Sequence, residues 1–214
     1  MSVLTLALPK GRLAEQGVGL LERCGVDCAA FYDPGRKLVM EDAAGTTRFL
    51  LVKPSDVPVY VERGVADIGI VGKDTLMESG ASVYEMLDLG FGRCRMCIAG
   101  FPEERDRAVT AVNLRVATKY PAIAADFYGA KGIPIDIIKL NGSVELGPLV
   151  GLSDVIMDIV ESGRTLRENG LEVLEEICAI SARLIVNRVS LKTKGDRVKP
   201  LIEGMRKALE EVRQ

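Results

Sequence analysis

The sequence predicts an α/β fold, because short apolar runs rich in β-branched residues alternate with longer stretches of helical periodicity. The chain has 214 residues, of which 48% are hydrophobic, so it can bury a substantial core without disulfide or metal staples. The alternation occurs twice along the chain. We therefore predict two lobes with mixed sheets, residues 1–90 with 178–214 and residues 91–177. A double crossing of this kind implies an interlobe cleft, which periodicity alone does not show.

The first lobe begins with a buried strand at Val3–Leu8, which Pro9 ends. A helix over Gly11–Cys24 follows, because apolar residues recur with helical spacing and Gly25 provides a stop. A turn at Asp42–Gly45 predicts a hairpin. The other elements predicted in this lobe are strands at 37–40, 47–52, 66–71 and 82–87, a helix over 53–63 and a helix that begins at 72.

The second lobe repeats the alternation, and the charged segment Pro102–Asn113 is predicted to be a loop. Its predicted elements are strands at 93–99, 115–118, 134–140 and 155–160, helices over 120–131 and 144–150, and a helical turn at 164–168. The apolar segment Leu171–Val189 is predicted to form two strands with a bend near Ser181. Arg197–Val212 has the pattern of an amphipathic helix. Proline is tolerated in the first turn of a helix, so Pro200 is expected to lie there.

Composition excludes several classes of function. The chain has no histidine, which removes histidine general bases, Ser–His–Asp and Cys–His catalysis, and imidazole ligands for zinc. The net charge is −2 and aromatic residues are 5%, so nucleic acid is not an expected partner. No apolar run approaches the ~18 residues of a membrane span, and no signal peptide is recognised. Five cysteines, an odd number, favour a reducing compartment, and we expect a cytoplasmic protein.

The strongest local pattern is VIMDIVESGRTL, which runs from Val155 to Leu166. An apolar strand ends in two acids, Asp158 and Glu161, and gives way to the turn Ser162–Thr165 at the start of a helix. Gly163 lets the backbone approach a ligand, and successive N–H groups favour an anion. The carboxylates suit ribose hydroxyls, or Mg²⁺ carried by a pyrophosphate. A plain strand–turn–helix connection is the alternative, and we favour the ligand site.

Glu145 extends this pattern from the preceding strand–helix connection, KLNGSVE. A carboxylate is favoured in the first turn of a helix for electrostatic reasons alone. The same carboxylate is also a candidate ligand for a ribose hydroxyl or a metal. The residues by themselves leave both roles open.

These residues resemble the ATP phosphoribosyltransferase family of histidine biosynthesis. The spacing from Glu145 through Asp158 to Leu166 is similar to the characteristic motif of that family. Four further stretches are also similar, and the chain ends after one more helix, as in the short form that lacks a regulatory domain. They are LALPKGRL at 6–13, DVPVYVERGVADIGIVGKD at 56–74, ATKYP at 117–121 and RLIVNRVS at 183–190.

The resemblance implies a fold of two α/β lobes like that of a periplasmic binding protein. It implies a reaction in which N1 of ATP attacks C1 of phosphoribosyl pyrophosphate and pyrophosphate leaves, with Mg²⁺ as cofactor. It also implies a homodimer that joins a regulatory subunit related to histidyl-tRNA synthetase, giving a hetero-octamer inhibited by histidine.

Site residues follow from the resemblance and from the local chemistry. Those expected to bind phosphoribosyl pyrophosphate are Asp158, Glu161, Ser162, Gly163, Arg164, Thr165 and Leu166. Those expected to bind ATP are Lys10, Gly11, Arg12, Arg36, Lys53 and Asp74. The expected catalytic residues are Asp158, Glu145 and Arg12, and no protein metal site is expected. Arg93, Arg95 and Lys119 are interpreted as surface residues.

Two rival functions fit the sequence less well. Salvage-type phosphoribosyltransferases carry two adjacent acids in a similar loop, whereas Met157 precedes Asp158 here. A two-lobed solute-binding module has no use for paired acids beside an anion site. The motif Cys94-Arg95-Met96-Cys97 is interpreted as structural, because an offset of three in a strand places the two thiols on opposite faces.

Overall fold

The chain forms two compact units, each built on one mixed sheet with helices on both faces. The computed structural model describes residues 3–32, 35, 37–106, 108 and 113–213. One unit comprises Met1–Gly92 with Ser181–Gln214, and the other comprises Arg93–Ile180. The sequence-based boundaries at residues 90 and 178 lie close to these. The predicted α/β class with mixed sheets is confirmed.

The first unit contains a six-stranded sheet in the order β2-β3-β1-β4-β11-β5. Its strands are β1 (Leu4–Pro9), β2 (Val39–Glu41), β3 (Thr47–Val52), β4 (Ile68–Gly72), β5 (Tyr84–Asp88) and β11 (Ala182–Val186). Its helices are α1 (Arg12–Arg23), α2 (Ala29–Tyr32), α3 (Val57–Glu62), α4 (Lys73–Ser79), α8 (Ser190–Thr193) and α9 (Gly195–Arg213). Strands β3, β1 and β4 are parallel neighbours, and β2, β5 and β11 pair antiparallel.

Alternation along β1 explains how this sheet buries both faces. Leu4, Leu6 and Leu8 lie in one core cluster, beneath apolar residues of α1 and α9, whereas Ala7 lies in a second cluster with residues of α3 and α4. Successive side chains of a strand point to opposite faces, so a continuous apolar run fits a strand covered on both sides.

A buried polar cluster holds the beginning of β1. Asp67, 3% exposed, accepts hydrogen bonds from the Thr5 N–H at 2.8 Å and the Ser190 hydroxyl at 2.5 Å. Its carboxylate also accepts from Lys194 Nζ at 2.7 Å, and that ammonium donates to the Val3 carbonyl. Because these partners come from distant parts of the chain, the cluster ties the two segments of this unit together.

The second unit contains a five-stranded sheet in the order β10-β6-β9-β7-β8. Its strands are β6 (Cys94–Gly100), β7 (Leu114–Thr118), β8 (Ile135–Lys139), β9 (Val155–Val160) and β10 (Glu172–Ile180). Its helices are α5 (Pro121–Ala130), α6 (Leu146–Leu149) and α7 (Arg164–Glu168). Strands β8, β7 and β9 are parallel, whereas β6 pairs antiparallel with both of its neighbours, β9 and β10. The carboxyl ends of β7, β8 and β9 therefore meet at one edge.

The two faces of this sheet carry separate cores, and the cysteines of β6 divide between them. Cys94 packs against the cluster that contains α5, and Cys97 lies in the cluster that contains Leu166 of α7. This confirms that the two thiols lie on opposite faces. All five cysteines are free thiols.

Several predicted elements need correction. Helices α2 and α8 were not predicted, and the last helix begins at Gly195 rather than Arg197. Pro200 lies inside that helix, beyond its first turn, which contradicts the expectation for this residue. Proline has no N–H to donate to the carbonyl of Asp196, and both residues are exposed, so water can satisfy that carbonyl. The bend at Ser181 is confirmed, and it separates β10 from β11. Within the described ranges, no helix has the length and apolar character needed to span a membrane.

Candidate active site

The loop between β9 and α7 forms a fixed turn at the edge of the second unit. Gly163 adopts a left-handed conformation with φ 69°, which a residue with a Cβ rarely adopts. The guanidinium of Arg167 donates to the Ser162 carbonyl at 2.9 Å, and the Arg167 N–H donates to the Gly163 carbonyl at 3.1 Å. The Ser162 hydroxyl accepts from the Arg164 N–H at 3.4 Å. These bonds set the direction in which the chain enters α7.

This loop lines a cavity of about 230 Å³. The lining residues are Glu145, Ile156, Asp158, Ile159, Val160, Glu161, Ser162, Gly163, Arg164, Thr165 and Leu166. The structure thus brings together every residue predicted to bind phosphoribosyl pyrophosphate, and adds Glu145 from a separate segment.

Asp158 owes its position to alternation along β9. Ile156 and Val160 are buried on the face that packs against Leu166, so Asp158, between them in the strand, belongs to the same face. Asp158 is half-buried, and its Oδ1 accepts the Ile159 N–H at 2.8 Å. Its apolar neighbours Ile156 and Val160 also line the cavity, and the Asp158 carboxylate is one of the polar groups there.

Glu145 reaches the cavity from the connection between β8 and α6. Ser143 turns the chain with a positive φ of 46°, and Val144 anchors the segment in the same apolar cluster. Glu145 is half-buried and lies just before the helix, whereas the sequence predicted it within the first turn. The position of Glu145 is therefore compatible with both of its possible roles, a ligand contact in the cavity and a favourable charge at the start of α6.

The charge of this cavity is predominantly negative. Three carboxylates line it, those of Glu145, Asp158 and Glu161, against one lining cation among the described residues, Arg164. The Arg164 side chain is 79% exposed and its Nε donates to Glu168 at 2.7 Å. Arg164 therefore contributes less positive charge to a ligand than its place in the motif suggested.

The residues predicted to bind ATP belong to the first unit. Lys10, Gly11 and Arg12 follow β1, Lys53 follows β3, and Asp74 lies in the first turn of α4, after β4. Because β3, β1 and β4 are adjacent and parallel, these residues share the carboxyl edge of one sheet. The Lys10 N–H donates to the Val52 carbonyl at 3.0 Å, which places Lys10 beside Lys53.

The residues predicted to bind ATP differ in their local contacts and exposure. The Asp74 carboxylate folds back against Gly72, where a Cβ would collide with Asp74 Oδ1. Lys10 and Arg12 are exposed, and Gly11 turns the chain into α1 with φ 95°. Arg36 lies outside the described residues.

A second cavity, of about 680 Å³, adjoins Lys10 and Gly11. Phe31 and Tyr32 of α2 line it, and their rings meet edge to face with centroids 5.7 Å apart. The Tyr32 hydroxyl donates to Glu22 at 2.8 Å, and this hydrogen bond raises the pKa of Tyr32. Neither aromatic residue is predicted by the sequence, because a single helical turn leaves no periodic signal.

The fold is similar to those of two solved proteins of low sequence identity, one of them a periplasmic binding protein. The aliphatic sulphonate binding protein SsuA of Escherichia coli matches at 12% identity with a TM-score of 0.60, over 100% of this chain and 70% of its own. The VFT2 domain of Bordetella pertussis BvgS matches at 14% identity with a TM-score of 0.59, over 97% of this chain and 87% of its own. At these identities the likeness shows the fold alone.

Sequence similarity identifies the family within that fold. The family profile HisG, ATP phosphoribosyltransferase, matches residues 53–207. The ATP phosphoribosyltransferase of Caldanaerobacter subterraneus subsp. tengcongensis is 53% identical over 98% of this chain and 99% of its own. That of Lachnoclostridium phytofermentans is 53% identical over 99% of each. A solved ATP phosphoribosyl transferase (HisG:HisZ) complex from Thermotoga maritima matches with a TM-score of 0.84 and 38% identity, over 98% of this chain and 100% of that one.

The chain therefore belongs to the ATP phosphoribosyltransferase family, whose reaction is the first step of histidine biosynthesis. It is a phosphoribosyltransferase, and it covers nearly the full length of these relatives.

Proposed function

We propose that this chain joins N1 of ATP to C1 of phosphoribosyl pyrophosphate and binds the latter in the cavity beside Gly163. The observation that carries the proposal is the cavity itself, in which one bent loop and carboxylates from two segments surround the same space. Phosphate and ribose hydroxyls are adjacent groups of that substrate, and the cavity offers a partner for each.

The loop Glu161–Thr165 is assigned to the 5-phosphate. Gly163 has a left-handed conformation, and successive backbone N–H groups around a residue of that kind form an arrangement that binds anions. The hydroxyls of Ser162 and Thr165 are exposed beside it and can donate two more hydrogen bonds. Hydrogen bonds to a charged acceptor contribute about 1.5–3 kcal/mol each, so such a loop can hold a phosphate without a paired cation.

Asp158 and Glu145 are assigned to the ribose hydroxyls. A carboxylate accepts hydrogen bonds only, so it suits hydroxyl donors and repels phosphate. Asp158 is separated from the loop by two residues of β9, which matches the order of a ribose and its 5-phosphate. The two carboxylates together orient the sugar so that C1 faces the nucleophile.

The chemistry explains why a site without histidine suffices. N1 of adenine carries a free lone pair, so no base has to remove a proton before it attacks. The bond between C1 and the pyrophosphate oxygen breaks, and its electron pair leaves with the pyrophosphate. Catalysis then depends on alignment and on positive charge near the leaving group.

Mg²⁺ is proposed as the cofactor. The donor set fits it, because Glu145, Asp158 and Glu161 offer carboxylate oxygens, the ligands that Mg²⁺ prefers. The described residues contain no cluster of three or more acidic, cysteine or histidine side chains that would form a complete cage. Mg²⁺ is commonly held by one or two carboxylates together with substrate phosphates. When bound, it neutralises charge on the pyrophosphate.

ATP is assigned to the carboxyl edge of the first unit. Lys10, Arg12 and Lys53 supply positive charge there for a triphosphate, and Arg12 is assigned to the pyrophosphate as well. Asp74 and Arg36 remain predicted contacts. Ligands of open α/β sheets commonly bind at this edge of the parallel strands.

A regulatory subunit is proposed as partner, since the similar Thermotoga maritima structure is a HisG:HisZ complex. By resemblance we propose that the chain alone is a homodimer and that the complex is a hetero-octamer with a subunit related to histidyl-tRNA synthetase.

The test combines the purified chain, ATP, Mg²⁺ and phosphoribosyl pyrophosphate, with and without the partner subunit, and follows the ultraviolet absorbance of the adduct. We expect adduct formation that stops when a chelator removes Mg²⁺. Efficient use of hypoxanthine or orotate in place of ATP would overturn the assignment. Tight binding of a small solute without any consumption of ATP would favour a binding module instead.

A further inference from the structure

Lys119 follows the last residue of β7, at the same edge of the sheet as the loop. Strands β7 and β9 are parallel neighbours, and Thr118 stands opposite Met157. The next residues along the two strands are Lys119 and Asp158. Adjacent strands lie about 4.8 Å apart, so the chain at Lys119 begins about one strand spacing from the backbone that carries Asp158, the residue assigned to the ribose.

The end of β7 is held firmly on both sides. Thr118 is fully buried, and its hydroxyl donates to the Met157 carbonyl of β9 at 2.7 Å. The same hydroxyl accepts the Tyr120 N–H at 2.8 Å, and the Thr118 carbonyl accepts the Leu140 N–H at 3.0 Å. These bonds fix the point at which Lys119 leaves the sheet.

The cavity lies on one face of this sheet, the face to which Ala117 of β7 contributes. Ala117 and Ile156 are paired in register and lie in the same apolar cluster. Two residues beyond Ile156, Asp158 belongs to that same face by alternation, whereas Lys119 lies in the bend that follows β7 at the same edge of the sheet. Lys119 is exposed, and its Nζ lies 5.9 Å from the centroid of the Tyr120 ring, at the outer limit of a cation–π contact. No ion pair holds its ammonium within the described part of the chain.

The positive charge of Lys119 complements the negative charge of the substrate. The cavity has three lining carboxylates, and the guanidinium of Arg164 is paired with Glu168. The loop can satisfy one phosphate, but phosphoribosyl pyrophosphate carries a second anionic group on C1. The loop lies beyond Asp158 along β9, whereas Lys119 lies beside it, next to the sugar. The second anionic group is therefore the one within reach of Lys119.

We propose that Lys119 binds the pyrophosphate group of phosphoribosyl pyrophosphate, an inference that rests on the proposed function. As the C1–oxygen bond breaks, its electron pair moves onto the pyrophosphate oxygen, and the lone pair of adenine N1 forms the new bond. The Lys119 ammonium stabilises the charge that builds on the leaving group and transfers no proton in this step.

Lys119→Met tests this inference, with Lys139→Met as the matched control. Lys139 is the last residue of β8, where it stands opposite Thr118, and it is also exposed. Titration calorimetry with pyrophosphate and Mg²⁺ measures binding without turnover. We expect Lys119→Met to weaken pyrophosphate binding by about ten- to a hundredfold, as for loss of a charged hydrogen bond. We expect kcat/KM for phosphoribosyl pyrophosphate to fall similarly, Lys119→Arg to recover most of both, and Lys139→Met to match the wild type.

Unchanged pyrophosphate affinity in Lys119→Met would overturn the inference, as would an equal loss in Lys139→Met or a wild-type chain that binds no pyrophosphate. The proposed function fails differently: the wild type would then bind pyrophosphate through Lys119 but form no adduct with ATP. Calorimetry and the absorbance assay therefore separate the two failures.

Discussion

Replacement of Gly163 by alanine perturbs the turn on which phosphate binding depends. Gly163 has φ 69°, and a Cβ there would lie 3.2 Å from Arg167 Nη1 and 3.6 Å from Val160 Cγ1. Left-handed backbone costs a residue with a Cβ about 1–2 kcal/mol. Movement of Arg167 away from the Cβ breaks its bond to the Ser162 carbonyl, which adds about 0.5–1.5 kcal/mol. The total is about 1.5–3.5 kcal/mol.

Most of this cost should be measurable as lost affinity rather than lost stability. The loop is exposed, so without ligand the alanine variant can relax by rotating its backbone. Substrate binding must then restore the left-handed turn. We therefore expect the KM for phosphoribosyl pyrophosphate to rise by about ten- to a hundredfold, with the free energy of unfolding lowered by about 1 kcal/mol or less.

Gly170→Ala is the control, because Gly170 has a similar φ of 72° just beyond the other end of α7 but does not line the cavity. Its Cβ would meet only Phe101 Cε1, at 4.0 Å. Steady-state kinetics and urea unfolding on both variants compare the two positions. If Gly163→Ala and Gly170→Ala change the KM equally, or neither changes it, the assignment of the loop to the phosphate is refuted.

Four other outcomes are expected. Asp158→Asn should raise the KM for phosphoribosyl pyrophosphate or lower kcat with the fold intact, and wild-type kinetics would mean that the ribose contact is misassigned. Thr165→Val should weaken binding of the same substrate by about 1–3 kcal/mol, measured by calorimetry. Lys194→Met should lower the free energy of unfolding in urea by about 3 kcal/mol, because it leaves the buried Asp67 carboxylate without its cation; a change near zero would contradict the role of that pair. Burial raises the pKa of Asp42, but hydrogen bonds from the threonines that follow it outweigh burial and lower that pKa overall. The wild type should therefore exceed Asp42→Asn in stability at neutral pH and lose this advantage as the pH falls below about 4, whereas a constant difference across pH would exclude the carboxylate as its source.

Local patterns predicted the loop well because its residues are consecutive. Asp158, Glu161 and Gly163 lie within one strand–turn–helix connection, so the order of side chains along the chain already determines their arrangement. The same holds for Cys94 and Cys97, which strand alternation alone assigns to opposite faces.

Features that depend on strand order could not be predicted in this way. Lys119 is brought near Asp158 because β7 is the neighbour of β9, and no local pattern in the sequence indicates that order. Pro200 was misplaced because the helix begins earlier than its apolar periodicity does. Phe31 and Tyr32 lie in a single turn, too short to produce a periodic signal.

The position of the 5-phosphate in a structure with bound phosphoribosyl pyrophosphate tests the central claim most directly. We expect the phosphate oxygens within hydrogen-bond distance of the backbone N–H groups and hydroxyls of residues 162–165, with the ribose hydroxyls on Asp158. A phosphate bound at any other place, with this loop out of contact with the ligand, would contradict the account.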